Sequence, residues 1–203
     1  MKGLHDYIIE VKNKFNETFK TEGGAELYLD QRFSAEKLAN RIAKVVSCPL
    51  LKESELQPGY EVLIDPTIFF QQKYEKHSMN DNGYLKDAEK GWYKIPSEMI
   101  VCYRETENDS WKGHAENLLV EFVKEEIKTP KMKSTLIITE SKPKEFTKGI
   151  ARVKHANKTL IEDEKIKEGD MIAIKHEVGI PFYLAKTLYW IRNRDVLAVI
   201  TKN

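Results

Sequence analysis

Leu56-Gln57-Pro58-Gly59-Tyr60-Glu61-Val62 reads as a glycine turn opening a strand. The chain writes it again as Ile166-Lys167-Glu168-Gly169-Asp170-Met171-Ile172, 110 positions on (59 to 169). Working outward, Ile42-Ala43-Lys44-Val45 is echoed by Ile150-Ala151-Arg152-Val153 at a spacing of 108 (42 to 150). Further out, Tyr7-Ile8-Ile9-Glu10-Val11 matches Leu118-Leu119-Val120-Glu121-Phe122 at 111 (7 to 118). Three segments in one order at nearly constant spacing predict two copies of one small domain. The first is expected over residues 1–104 and the second over 114–203. Residues 105–113 form the linker, within a stretch (Arg104–Gly113) that is polar and charged apart from Trp111.

Apolar residues come in runs of about four to six between Gly, Pro, Asn or charged clusters, a pattern of short strands. Strands are expected at Tyr7–Val11, Ala25–Leu29, Ile42–Val46, Glu61–Ile64 and Met99–Tyr103. In the second copy they fall at Leu118–Val123, Thr135–Thr139, Ile150–Val153, Met171–Ile174 and Val196–Thr201. Ser34–Ala43 is the one helix candidate of the first half, starting from a serine cap. The fold class is therefore all-β, built as sandwiches or barrels. The first copy also carries about 13 extra residues (39 positions from Gly59 to Glu98, 26 from Gly169 to Asp195), placed within Ile68–Lys90. That insertion reads as a solvated loop or hairpin, or as a contact surface.

Composition narrows the function. Basic and acidic residues nearly cancel, 33 against 32 with a net charge of +1, so no strong field favours nucleic acid or an anionic membrane. Cys48 and Cys102 lack a CxxC partner and read as inert thiols of a reducing compartment. The N-terminus has no apolar signal core and no run approaches a membrane span, which points to a cytoplasmic protein without membrane contact. A phage-encoded or organellar source stays open.

Leu4-His5-Asp6-Tyr7-Ile8-Ile9-Glu10-Val11 resembles the opening strand of the GroES-type co-chaperonins. Lys20-Thr21-Glu22-Gly23-Gly24-Ala25-Glu26-Leu27 stands where that family has a charged loop ending in Gly-Gly and an aliphatic segment. Gln57–Val62 and Lys167–Ile172 are similar to its Gly-Asp turn, and Trp190–Ile200 to its final strand. The resemblance implies tandem irregular β-barrels that oligomerise into a ring. It also implies mobile loops docking into the apical groove of an ATP-driven chaperonin, thereby assisting protein folding. ATP would be used by the chaperonin, so this chain would need no cofactor, no metal and no catalytic residues.

Lys124–Ser134 has little to bury and reads as a mobile loop, with Leu136-Ile137-Ile138 as its aliphatic plug or, alternatively, as part of a plain core strand. Burying those three side chains yields roughly 1.5–3 kcal/mol each. Ordering a ten-residue loop costs about 1–2 kcal/mol per residue. Several loops on one rigid assembly must therefore act together. In the first copy the plug Gly23-Gly24-Ala25-Glu26-Leu27 has a carboxylate at its centre, costly in an apolar groove. Either this loop docks through Leu27-Tyr28-Leu29 or it no longer docks. Phe15 and Phe19 offer another apolar handle, or pack back on the barrel.

Ring closure would use the first and last strands as open edges. Within the chain, Met99–Tyr103 is expected to meet Leu118–Val123. Between chains, the edge carrying Leu197 and Val199 would meet the one carrying Ile8, Ile9 and Val11. Two domains per chain imply rings of six or eight domains, or one copy outside the ring.

Other chemistries find less support. His5, His77, His114, His155 and His176 show no HExxH or carboxylate-paired spacing, and no GxSxG or phosphate-cradling loop is present. Phe69, Phe70, Tyr74, Tyr84, Trp92 and Tyr93 amid lysines suggest a single-strand-binding barrel face, but the balanced charge argues against nucleic acid. The rival reading is structural: a ring or adaptor component, for example of a virion, without chaperonin binding.

Overall fold

Along Ile42–Ser47 the side chains alternate, Ala43 and Val45 inward, Ile42 and Lys44 outward, as a strand covered on one face requires. Glu61–Ile64 differs: Val62, Leu63 and Ile64 are all buried, so this strand is covered on both faces. The computed structural model describes residues 2–16, 18–20, 26–28, 38–70, 73–75, 78–81, 83–124, 146–175, 178–184 and 187–200.

The first half supplies β1 (Tyr7–Glu10), β2 (Thr18–Lys20), β3 (Glu26–Tyr28), β4 (Ile42–Ser47) and β5 (Glu61–Ile64). It continues with β6 (Lys73–Glu75), β7 (Ser78–Asp81), β8 (Leu85–Asp87), β9 (Trp92–Ile95) and β10 (Ile100–Arg104). The second supplies β11 (Lys112–Gly113), β12 (Asn117–Lys124), β13 (Phe146–His155), β14 (Met171–Ile174), β15 (Ile180–Tyr183), β16 (Thr187–Arg192) and β17 (Val196–Ile200). A short helix, α1 (Lys158–Glu162), begins where the Asn157 side chain accepts from the Leu160 N–H.

The chain is all-β, as its pattern of short apolar runs predicts. It forms two principal antiparallel sheets, ordered β11-β10-β5-β4-β1-β9-β8 and β17-β14-β13-β12-β16-β15. Without β11, the two orders correspond strand for strand. The registers correspond as well. Ile8 faces Ser47 and Ile9 faces Val45 across a bulge; Leu119 faces His155 and Val120 faces Val153 across another at the same place. A bulge beside Ile64 on the β5–β10 ladder recurs beside Ile174 on β14–β17. Gly59 N–H donates to the Val45 carbonyl and Gly169 N–H to that of Val153, each at 2.8 Å. Matching 3-10 turns, Ser97–Met99 and Asn193–Asp195, lead into β10 and β17.

Each sheet has its own core, one around Ile9, Val62 and Ile95, the other around Leu118, Val120 and Ile172. A third cluster lies where the sheets meet: Leu63, Val101 and Cys102 against Leu119, Phe182, Leu188 and Trp190.

Several expectations are corrected. Among the described residues the sheets are open ladders and not closed barrels. Residues 34–37 of the helix candidate lie outside the described residues, while Ile42 and Ala43 belong to β4, where β-branched and alternating residues favour the strand. Met99–Tyr103 does not pair with Leu118–Val123; β10 pairs with β5 and β11, and β12 with β13 and β16. Phe69 and Tyr93 sit edge-on at 5.4 Å inside the first core, so they offer no stacking face for bases. Within the insertion, β6 and β7 make a separate two-stranded ladder, whereas β8 extends the main sheet.

The two turn glycines test the correspondence. Gly59 and Gly169 adopt φ of +99° and +92°, and a Cβ at either meets nothing within 4 Å. Alanine there is penalised through the backbone alone, by roughly 1–2 kcal/mol. Urea unfolding of Gly59→Ala and Gly169→Ala should show two nearly equal losses; a loss at one site alone would contradict their equivalence.

Candidate functional site

Strand edges and the joint between sheets are where this chain can meet something else. At the joint, alternation along β5 and β12 aims Val62, Ile64, Leu118 and Val120 into the two cores. It aims Leu63 and Leu119 at each other's sheet. On β16, Trp190 and Leu188 face the joint, while Ile191 faces the second core.

Polar groups fix the register of this contact. Buried Asn117 donates through Nδ2 to the Ile100 carbonyl at 2.9 Å and accepts at Oδ1 from the Trp190 indole at 3.0 Å. Asn157, fully buried, donates to the Asn117 carbonyl at 3.1 Å and to Asn193 Oδ1 at 2.6 Å. The Arg104 Nε–H donates to Glu61 at 2.7 Å, and its guanidinium covers the Trp111 ring at 4.4 Å from the centroid. Phe182 is capped by the Arg41 guanidinium at 5.2 Å.

β11 covers the edge of β10. Cys102 faces Gly113, Tyr103 faces Lys112, and His114 N–H donates to the Val101 carbonyl at 3.0 Å. Gly113 is required by space: a Cβ there would stand 2.2 Å from the Asn117 carbonyl oxygen. His114 then enters a crevice of the first half. Its Nδ1 lies 2.5 Å from Glu55 Oε1 and its Nε2 2.8 Å from Ser97 Oγ. Burial raises the Glu55 pKa, but hydrogen bonds from His114 and the Ala115 N–H outweigh it, leaving the carboxyl below its ordinary value. Burial, with the Glu55 charge behind it, pushes the Tyr103 phenol up to about 12. Burial also raises the Cys48 and Cys102 thiols, the latter fully enclosed, which suits inert side chains.

Among the described residues, no strand covers the corresponding edge of the second sheet. Leu197 and Val199 on β17 are 62% and 42% exposed. A groove of about 430 Å³ runs beside them, lined by Leu160, Ile166, Asn193, Val196, Leu197 and Val199 among others. By the repeat, Asn193 and Ala198 stand where Ser97 and Cys102 stand in the first half. The groove is thus the counterpart of the seat that Gly113 and His114 occupy.

The remaining predicted site residues divide sharply. Leu136, Ile137, Ile138, Gly23, Gly24 and Ala25 lie outside the described residues. Leu27 is on β3 opposite Phe19 of β2, and its neighbour Tyr28 is 87% exposed. Ile8, Ile9 and Val11 are not at an edge: β1 is paired on one side to β4 and on the other to β9, and all three side chains are buried. Sequence order suggested an edge, but the β8–β9 hairpin covers it. Lys112, Gly113 and Asn117 carry no motif in the sequence, and His114 lacks a carboxylate at paired spacing; the one local signal is the echo of Lys2-Gly3 in Lys112-Gly113.

Among the described residues, no group of three or more His, Cys, Asp or Glu side chains is placed to hold a metal ion, and no helix is long and apolar enough to cross a membrane. Comparison with protein-family models and with curated proteins finds no match to this chain.

Acid should loosen the joint through Glu55. Its folded pKa lies below the ordinary glutamate value of 4.5, so its contribution is complete above about that pH and is lost as pH falls through the folded value. Thermal melts across pH 6 to 3 should show a shallower acid decline for Glu55→Gln than for the native chain; parallel declines would count against this linkage.

Proposed function

We propose that this chain is a tandem co-chaperonin, two GroES-type units at residues 1–104 and 114–203, which caps an ATP-driven chaperonin ring and assists folding. One observation carries the reading. The turns that resemble the family's, Gln57–Val62 and Lys167–Ile172, fall at corresponding places on two ladders of identical strand order. The two plug segments also fall on corresponding connections, Gly23–Leu27 between β1 and β4, Leu136–Ile138 between β12 and β13. The partner is the chaperonin, and ATP belongs to it.

Self-assembly follows from the joint. The segment that covers β10 has a relative at the chain start, where Lys2-Gly3 repeats Lys112-Gly113. Gly3 shares the constraint of Gly113, since its Cβ would stand 2.2 Å from the Asp6 carbonyl oxygen. Lys2–Leu4 of a second copy is the natural cover for β17, with exposed Leu4, Leu50 and Leu51 meeting the apolar side chains of that edge. Repeated head to tail, this contact gives a ring or an open array.

Two measurements test the proposal. The chain should co-elute with a chaperonin ring when ATP is present and separate without nucleotide, and Ile137→Asp should abolish capture while leaving the melting temperature unchanged. Stable self-assembly without nucleotide-dependent capture would favour the ring or adaptor reading instead. In the second, Leu197→Lys with Val199→Lys should convert oligomer to monomer in analytical ultracentrifugation, because edge lysines block strand addition; an unchanged oligomer would rule out β17 as the contact.

A further inference from the structure

Glu55, His114 and Ser97 are brought together from a loop of the first half, the start of the second half and a 3-10 turn. The His114 side chain is 4% exposed, and its imidazole is met edge-on by Tyr7 at 6.1 Å and Tyr103 at 6.2 Å. Packed in that way, the ring is held in one orientation. With an Nδ1 proton directed at the Glu55 carboxylate, a neutral ring would present its Nε2 lone pair to the Ser97 hydroxyl. This is the order of roles by which a hydroxyl is made nucleophilic: carboxylate, imidazole, serine. The repeat does not demand it, since the second half has Lys165 and Asn193 at the positions of Glu55 and Ser97.

Ser97 also opens onto space. With Glu98, Ala115, Glu116, Asn117 and Arg192 it lines a pocket of about 310 Å³ at the junction of the two halves. That volume sits at the lower end of small-ligand sites. Two carboxylates against one guanidinium disfavour an anionic guest. The Tyr7 hydroxyl is hydrogen-bonded to Ser54 Oγ at 2.8 Å, and its ring stands edge-on to His114 beside this pocket.

We propose that Ser97 is a nucleophile for acyl transfer from small neutral or cationic esters, with His114 as its general base and Glu55 as the group that positions His114. Ser97 Oγ adds to the ester carbonyl carbon while its proton passes to His114 Nε2. The tetrahedral adduct collapses, the bond from carbon to the leaving oxygen breaks, and His114 returns the proton to the departing alkoxide. Water, deprotonated by the same nitrogen, then releases the carboxylic acid and restores Ser97. This chemistry is independent of chaperonin binding.

The test uses the full chain with a fluorophosphonate probe, read by intact mass and peptide mapping, and 4-nitrophenyl acetate as the ester. One adduct on Ser97 is expected, with a burst of 4-nitrophenol. Both should vanish in Ser97→Ala, which keeps the His114–Glu55 pair, and slow roughly a hundredfold in Glu55→Gln. A folded native chain with no Ser97 adduct would overturn the assignment, leaving a hydrogen-bonded clasp. Labelling of Ser97 at an undiminished rate in Glu55→Gln would overturn the relay.

Discussion

Two-sided burial of β5, β10 and β12 is the constraint on which this molecule rests. A strand presents alternate side chains to opposite faces, so one backbone ladder feeds two cores at once. Val62 and Ile64 stabilise the first sheet while Leu63 reaches across to the second. Leu118 and Val120 do the same for the second sheet, with Leu119 reaching back. Neither half can lose its cover without exposing Leu63, Val101 and Cys102 on one side and Leu119, Phe182 and Trp190 on the other. At roughly 1.5–3 kcal/mol for each large apolar side chain, that exposure is comparable with the stability of a whole domain.

Apolar contact alone would tolerate sliding. Asn117 removes that freedom, because its amide must meet the Ile100 carbonyl and the Trp190 indole at the same time. A shift by one residue would leave three polar groups buried without partners, each costing about 1–3 kcal/mol. Asn157 extends the constraint to α1 and to the 3-10 turn at Asn193. Polar residues here set position, and apolar ones supply the free energy.

Much of this was legible in the sequence. The spacings of 108, 110 and 111 located corresponding strands to the residue, including both bulged ladders, because turn glycines and alternating apolar residues are local signals. Runs such as Val62-Leu63-Ile64, apolar on successive positions, were legible as strands, while their burial on both faces came only from the structure. Long-range order was harder. Nothing local says that the β8–β9 hairpin folds back beside β1, so the opening strand was read as an edge. Glu55, Ser97 and His114 are separated by 42 and 17 positions along the chain (55 to 97, 97 to 114) and converge only once β11 has seated. The β11 cover is not legible because Lys112-Gly113 is two residues long, too short for any periodicity to register.

β11 covers β10 from within the same chain, and that has a consequence for how the molecule responds to dilution. A segment tethered by a short linker stays near its seat at an effective concentration in the millimolar range. The β10 edge is therefore covered at any protein concentration. The β17 edge has no tethered cover among the described residues. Under the proposed self-assembly a second copy would cover it by mass action, so one edge would be saturated by covalent continuity while the other would report how many other molecules are near.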